Sequence, residues 1–132
     1  MKGKNTATNR INILLVEDDD IGGRIITTYV EKLYNVDWVK TGNEALALVQ
    51  QKKYDCILMD ISLSGALDGL MTTEEIRKMA NYKNTPIVAV TAHAMRGDEE
   101  KFLSRGCSHY ISKPFTHEEI LALLEKILAG KS

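Results

Sequence analysis

Short apolar runs alternate with longer amphipathic stretches from Ile11 to Leu128. Five of the runs have strand length: residues 11–16, 36–40, 56–59, 87–91 and 109–111. The first, third and fourth lack regular polar alternation, the pattern of parallel strands covered on both faces. The segments between them have helix length. Ile120, Leu123, Leu124, Ile127 and Leu128 recur at helical spacing, and Thr116 with Glu119 makes a capping box at the start of that helix. Thr41 and Glu44 carry the same signature ahead of a helix containing Leu46 and Val49. Gly106 suits the end of a helix that includes Phe102 and Leu103.

Strand and helix therefore alternate five times. Right-handed crossovers turn this order into an α/β fold with a parallel sheet covered by helices on both sides. The strand order 2-1-3-4-5 is its flavodoxin-like, three-layer (βα)5 solution. A ligand is then expected beyond the carboxyl ends of the first and third strands, where the winding reverses. Residues 1–10 are polar, without an apolar period, and read as a flexible tail. The domain is expected over 11–129, with 130–132 as a short C-terminal tail. Its 132 residues suffice for one domain that buries a sizeable core.

Composition narrows the function classes. A net charge of −1 and no long basic run argue against a claim on nucleic acid or an anionic membrane. The longest nearly apolar segment, 11–16, is too short to span a bilayer or form a signal-peptide core, so a cytoplasmic location is expected. Cys56 and Cys107 lie in or beside apolar segments without metal-ligand spacing, as buried thiols in a reducing compartment would. The three histidines are scattered, which disfavours a zinc site.

The expected ligand edge carries the chemistry. The first strand ends Leu14-Leu15-Val16 and runs into Glu17-Asp18-Asp19-Asp20; the third ends Ile57-Leu58-Met59 and runs into Asp60. Gathered carboxylates destabilise one another's ionised form unless a cation offsets them. Mg²⁺ suits the role, since it takes oxygen ligands and phosphate together. Asp60 is then the natural nucleophile and the first-strand acids the metal holders, whereas Asp19 and Asp20 suit a first helical turn. The fourth strand offers the Thr91 hydroxyl, and the fifth runs through Tyr110 and Ser112 to Lys113-Pro114.

With these residues at the ends of strands one, three, four and five, the segments ILLVEDD, ILMDISL, VAVTAHAM and GCSHYISKPF resemble the receiver domain of two-component response regulators. The last two look most like receivers of hybrid histidine kinases. The resemblance covers about Ile11 to Leu128. It implies Mg²⁺ held by Glu17, Asp18, Asp60 and the backbone carbonyl of Ser62. It also implies phosphoryl transfer to Asp60 from a histidine kinase or histidine phosphotransfer domain, with Lys113, Thr91 and the Ala92 N–H on the phosphoryl oxygens. Thr91 and Tyr110 would form a switch acting on a downstream protein or a second copy, and Ser62 and His93 would tune phosphate lifetime. The Lys113–Pro114 peptide resembles the family's cis bond. No enzymatic activity beyond self-catalysed phosphorylation and dephosphorylation is implied.

The fit has departures. Ser64 stands where the family usually has proline, and the loop 64–69 is one residue longer than the common form. Gly22 and Gly23 are costly in a helix interior; a close-approaching partner or a plain backbone adjustment explains them. One competing reading is a pseudo-receiver that binds proteins without phosphorylation. Another is a haloacid-dehalogenase-type phosphatase, but that family expects an aspartate at position 62 and a cap insertion. Gly130-Lys131-Ser132 has the ending of a P-loop, yet Glu125 occupies its first glycine position and no strand precedes it. No GxGxxG fingerprint supports a dinucleotide enzyme.

Overall fold

The computed structural model describes residues 10–92 and 97–130. Five parallel strands form one sheet in the order β2-β1-β3-β4-β5. They are β1 (Asn12–Val16), β2 (Asn35–Val39), β3 (Cys56–Asp60), β4 (Ile87–Thr91) and β5 (His109–Ser112). The helices between and after them are α1 (Asp20–Val30), α2 (Gly42–Gln51), α3 (Gly69–Arg77), α4 (Asp98–Ser104) and α5 (His117–Ile127). This is the flavodoxin-like architecture, with strand ends within a residue of those expected from the apolar runs. A short 3₁₀ turn, Ala80–Tyr82, precedes β4 and has no counterpart in the apolar pattern.

The unbroken apolar runs are explained by burial on both faces. Every residue of β3 and β4 is buried. Leu14 and Val16 of β1 face one cluster, with Ala45 and Val49 of α2, Ile76 of α3 and Phe102 of α4. Ile13 and Leu15 face the other, with Ile26 and Val30 of α1 and Ile120 and Leu124 of α5. Helices α1 and α5 thus cover one face and α2 to α4 the other. Both capping boxes form: Thr41 with Glu44, and Thr116 with Glu119. Gly106 follows α4 at φ 111°, the left-handed conformation that ends a helix.

At the opposite edge from the strand ends, Arg77 closes the structure with no carboxylate partner among the described residues. Its Nε donates to the Gly106 carbonyl at 2.8 Å, and its Nη1 to the carbonyls of Tyr82 and Thr85 at 2.6 and 2.7 Å. One planar fork thereby ties α3 to the turns before β4 and β5. Arg77→Ala leaves these partly buried acceptors unpaired and is expected to cost about 2–3 kcal/mol in urea denaturation. Arg77→Lys is expected to recover little, because an ammonium cannot reproduce the fork.

Candidate functional site

Parallel pairing brings every strand's carboxyl end to one edge, and register decides which residues meet there. Val16 pairs with Met59, so Glu17 and Asp60, one residue further on, stand side by side at the switch point. Thr91 pairs with Ser112, and the Lys113 N–H donates to the Thr91 carbonyl at 2.7 Å. Glu17, Asp60 and Thr91 are only 1%, 4% and 4% exposed. The Lys113–Pro114 peptide is cis. Lys113 reaches from the end of β5 to that of β1, where its Nζ donates to Glu17 Oε1 at 2.7 Å.

Each acid has its own support. Glu17 Oε2 accepts the Asp19 N–H at 3.2 Å, and Asp60 Oδ1 accepts the Ser62 N–H at 2.9 Å. Asp18 Oδ2 accepts both the N–H and the hydroxyl of Ser64, at 3.1 and 2.9 Å. A proline at that position offers neither donor, so the unusual Ser64 ties the loop to the acid pair. Sequence reasoning marked Ser64 as a departure and missed this contact. Asp19 instead caps α1, accepting the Gly22 N–H at 2.6 Å, and exposed Asp20 pairs with Lys40.

Electrostatics follow from this crowding. Burial, reinforced by the hydrogen bond and charge of Glu17, pushes the Asp60 carboxyl up to about 6, against the pull of the Ser62 N–H and Lys113. Burial works against the Lys113 ammonium. Its hydrogen bond to Glu17 and the charges of Asp60 and Glu17 outweigh that and raise its pKa.

Glu17, Asp18 and Asp60 each offer a carboxylate oxygen, all within 4.8 Å of one another. Three acids facing one ammonium leave an excess of negative charge, and the all-oxygen donor set suits a hard cation such as Mg²⁺. Ser62 and Ala92 are exposed beside the cluster, in the turns after β3 and β4. Tyr110, 37% exposed, lies on β5. His93 lies outside the described residues.

A family model for the response regulator receiver domain matches residues 13–125. The chain belongs to that family. Among solved receiver domains, that of the sensor histidine kinase PA1611 from Pseudomonas aeruginosa PAO1 is 38% identical, with a TM-score of 0.81. The match covers 89% of this chain and 96% of that one, and that structure has a magnesium ion in its active-site cleft. The histidine-protein kinase BarA of Escherichia coli K12 is 33% identical over 121 residues, 91% of this chain and 13% of BarA. The polar-differentiation response regulator DivK of Brucella anthropi is 33% identical over 118 residues, 89% of this chain and 95% of DivK. The chain thus spans a small part of a hybrid-kinase relative and nearly all of a short regulator. No helix among the described residues is long and apolar enough to cross a membrane.

Proposed function

We propose that this receiver domain, residues 11–129, accepts a phosphoryl group on Asp60 from the phosphohistidine of a histidine kinase or phosphotransfer domain. The observation that carries the reading is the side-by-side burial of Glu17 and Asp60, with Asp18 in reach and the Lys113 ammonium on Glu17. Two buried carboxylates facing one ammonium are poised for added positive charge and for an electrophile with anionic oxygens.

An Asp60 carboxylate oxygen attacks phosphorus. The new O–P bond forms as the N–P bond to the donor imidazole breaks, and the imidazole leaves with that electron pair. Lys113, with three donor hydrogens, serves Glu17 and a phosphoryl oxygen together, while the Thr91 hydroxyl and Ala92 N–H hold the others. Mg²⁺, when bound by Glu17, Asp18, Asp60 and the Ser62 carbonyl, supplies neutralisation to the carboxylates and the phosphoryl oxygens. Such transfer needs positioning and charge more than further covalent help, so no other enzymatic activity is assigned.

Output follows as a population shift. Thr91 moves toward the phosphoryl group, Tyr110 turns inward from its exposed position, and the face of α4, β5 and α5 changes for a downstream protein or a second copy. Ser62 and His93 set the lifetime of the acyl phosphate. A cytoplasmic setting accords with Cys56 and Cys107, both buried free thiols.

The test is intact mass spectrometry after incubation with acetyl phosphate, with and without Mg²⁺, beside an Asp60→Asn variant. The expected result is a Mg²⁺-dependent gain of one phosphoryl group that the variant lacks. No gain, under conditions that saturate a control receiver, points to a protein-binding module working without phosphorylation.

A further inference from the structure

The two adjacent glycines of α1 have different reasons. A Cβ on Gly22 would stand 2.9 Å from Asp19 Oδ2, the helix cap. A Cβ on Gly23 would stand 2.0 Å from Cζ2 and 2.2 Å from Cε2 of Trp38. Trp38 projects from β2 so that its ring lies directly on the α1 backbone, which only a residue without a side chain permits. A mid-helix glycine costs about 1 kcal/mol against alanine, and a ring in contact with backbone offsets it.

The other edge of that ring explains why a tryptophan stands there. The Trp38 indole N–H donates to the backbone carbonyl of Glu17 at 2.8 Å. The N–H of the same glutamate donates to the Val39 carbonyl at 3.0 Å. Both backbone polar groups of Glu17 are therefore held by consecutive residues of β2, the N–H by the last bond of the β1–β2 ladder and the carbonyl by the Trp38 side chain beyond it. The next residue, Lys40, pairs with Asp20 at the other end of the acidic segment. A ring that merely filled the α1–β2 groove could be phenylalanine; a half-buried indole N–H needs an acceptor, and here the acceptor belongs to the most buried acid of the site.

We propose that Trp38, seated on Gly23, is a positioning residue of the cation and phosphoryl site, fixing the Glu17 peptide so that its carboxylate meets those of Asp18 and Asp60. This rests on the phospho-accepting reading above. Trp38 acts through Glu17 and touches neither the cation nor the phosphoryl group. Partners that orient a metal ligand typically contribute about 10- to 100-fold to affinity, and a single hydrogen bond to the ligand's backbone belongs at the lower end.

The experiment is isothermal titration of Mg²⁺ into the unphosphorylated protein, with thermal denaturation alongside. Two replacements remove the N–H, the first leaving a smaller aromatic ring and the second a bicycle of nearly the same shape. One is Trp38→Phe. The other is biosynthetic substitution of benzothienylalanine for tryptophan, which alters only this position because the chain has a single Trp. Mg²⁺ affinity about tenfold weaker in both, with the melting temperature little changed in the benzothienylalanine protein, is the expected result. Wild-type affinity in either folded variant overturns the proposal and leaves Trp38 a packing residue, even if that variant melts earlier. A wild-type protein that binds no Mg²⁺ overturns the phospho-accepting reading, and this inference with it.

Discussion

An Asp60→Asn variant is expected to be more stable than the wild type in Mg²⁺-free buffer at pH 7.5, by about 1–2 kcal/mol, because solvent at the open strand ends screens part of the penalty. The folded chain holds the Asp60 carboxyl at about 6, through burial and then through Glu17, whereas an unfolded aspartate titrates near 3.8. Below about pH 3 both states are protonated and the site costs nothing. As pH rises from there, the unfolded chain ionises first. The folded domain loses stability until it too has ionised, near pH 7. Asparagine keeps the acceptor for the Ser62 N–H and removes the like charge beside Glu17. The wild-type and variant melting temperatures should therefore converge near pH 3 and diverge by about 5–10 °C at pH 7.5. Saturating Mg²⁺ should close the gap by stabilising only the folded wild type. Parallel pH profiles for the two proteins would show that Asp60 carries no such penalty.

A Gly69→Ala change is expected to cost about 3 kcal/mol, at the upper end of ordinary overpacking. Gly69 opens α3, and a Cβ there would stand 2.2 Å from the Asp60 carbonyl oxygen and 2.8 Å from the Ile61 Cα. Both are backbone atoms of the strand end that carries the proposed nucleophile, so α3 must lift away from β3. The glycine at 65 separates this steric cause from backbone strain. It has φ 101° with nothing within 4 Å of a built Cβ, so Gly65→Ala bears the left-handed penalty alone, about 1–2 kcal/mol. Urea denaturation of the two variants gives the comparison, and acetyl phosphate uptake should slow markedly only in Gly69→Ala. Equal, small losses in both would show that the α3–β3 contact yields easily.

Much of the architecture is visible in local pattern. Residues 56–59 and 87–91 are unbroken apolar runs because β3 and β4 are covered on both faces, and no polar alternation could survive there. The caps at Thr41 and Thr116 were legible because a capping box is complete within four residues. The turn Ala80–Tyr82 was not, since Tyr82 sits there to meet the distant Tyr54 N–H and Lys52 carbonyl with its hydroxyl.

The site divides the same way. Glu17, Asp18, Asp60, Thr91 and Lys113 each follow or close a recognisable strand, and the parallel order alone requires those ends to share one edge. The contacts that hold them there join segments far apart in the chain. Ser64 reaches back to Asp18, Trp38 to the Glu17 carbonyl, and Gly69 is glycine because the Asp60 carbonyl occupies the space of a side chain. A sequence could show Ser64 and Gly23 as departures from a pattern, but not what they face, and it gave no sign of the role of Gly69.

The sequence by itself determined the order of elements, the buried faces and the gathering of acids at one edge, because hydrophobic period, capping and strand ends are properties of neighbouring residues. The tertiary structure alone decided which donor orients which carboxylate, how far Asp60 is pushed toward its protonated form, and which glycines have no room for a methyl group. Those depend on distances between residues separated by tens of positions, and such distances exist only once the sheet has closed.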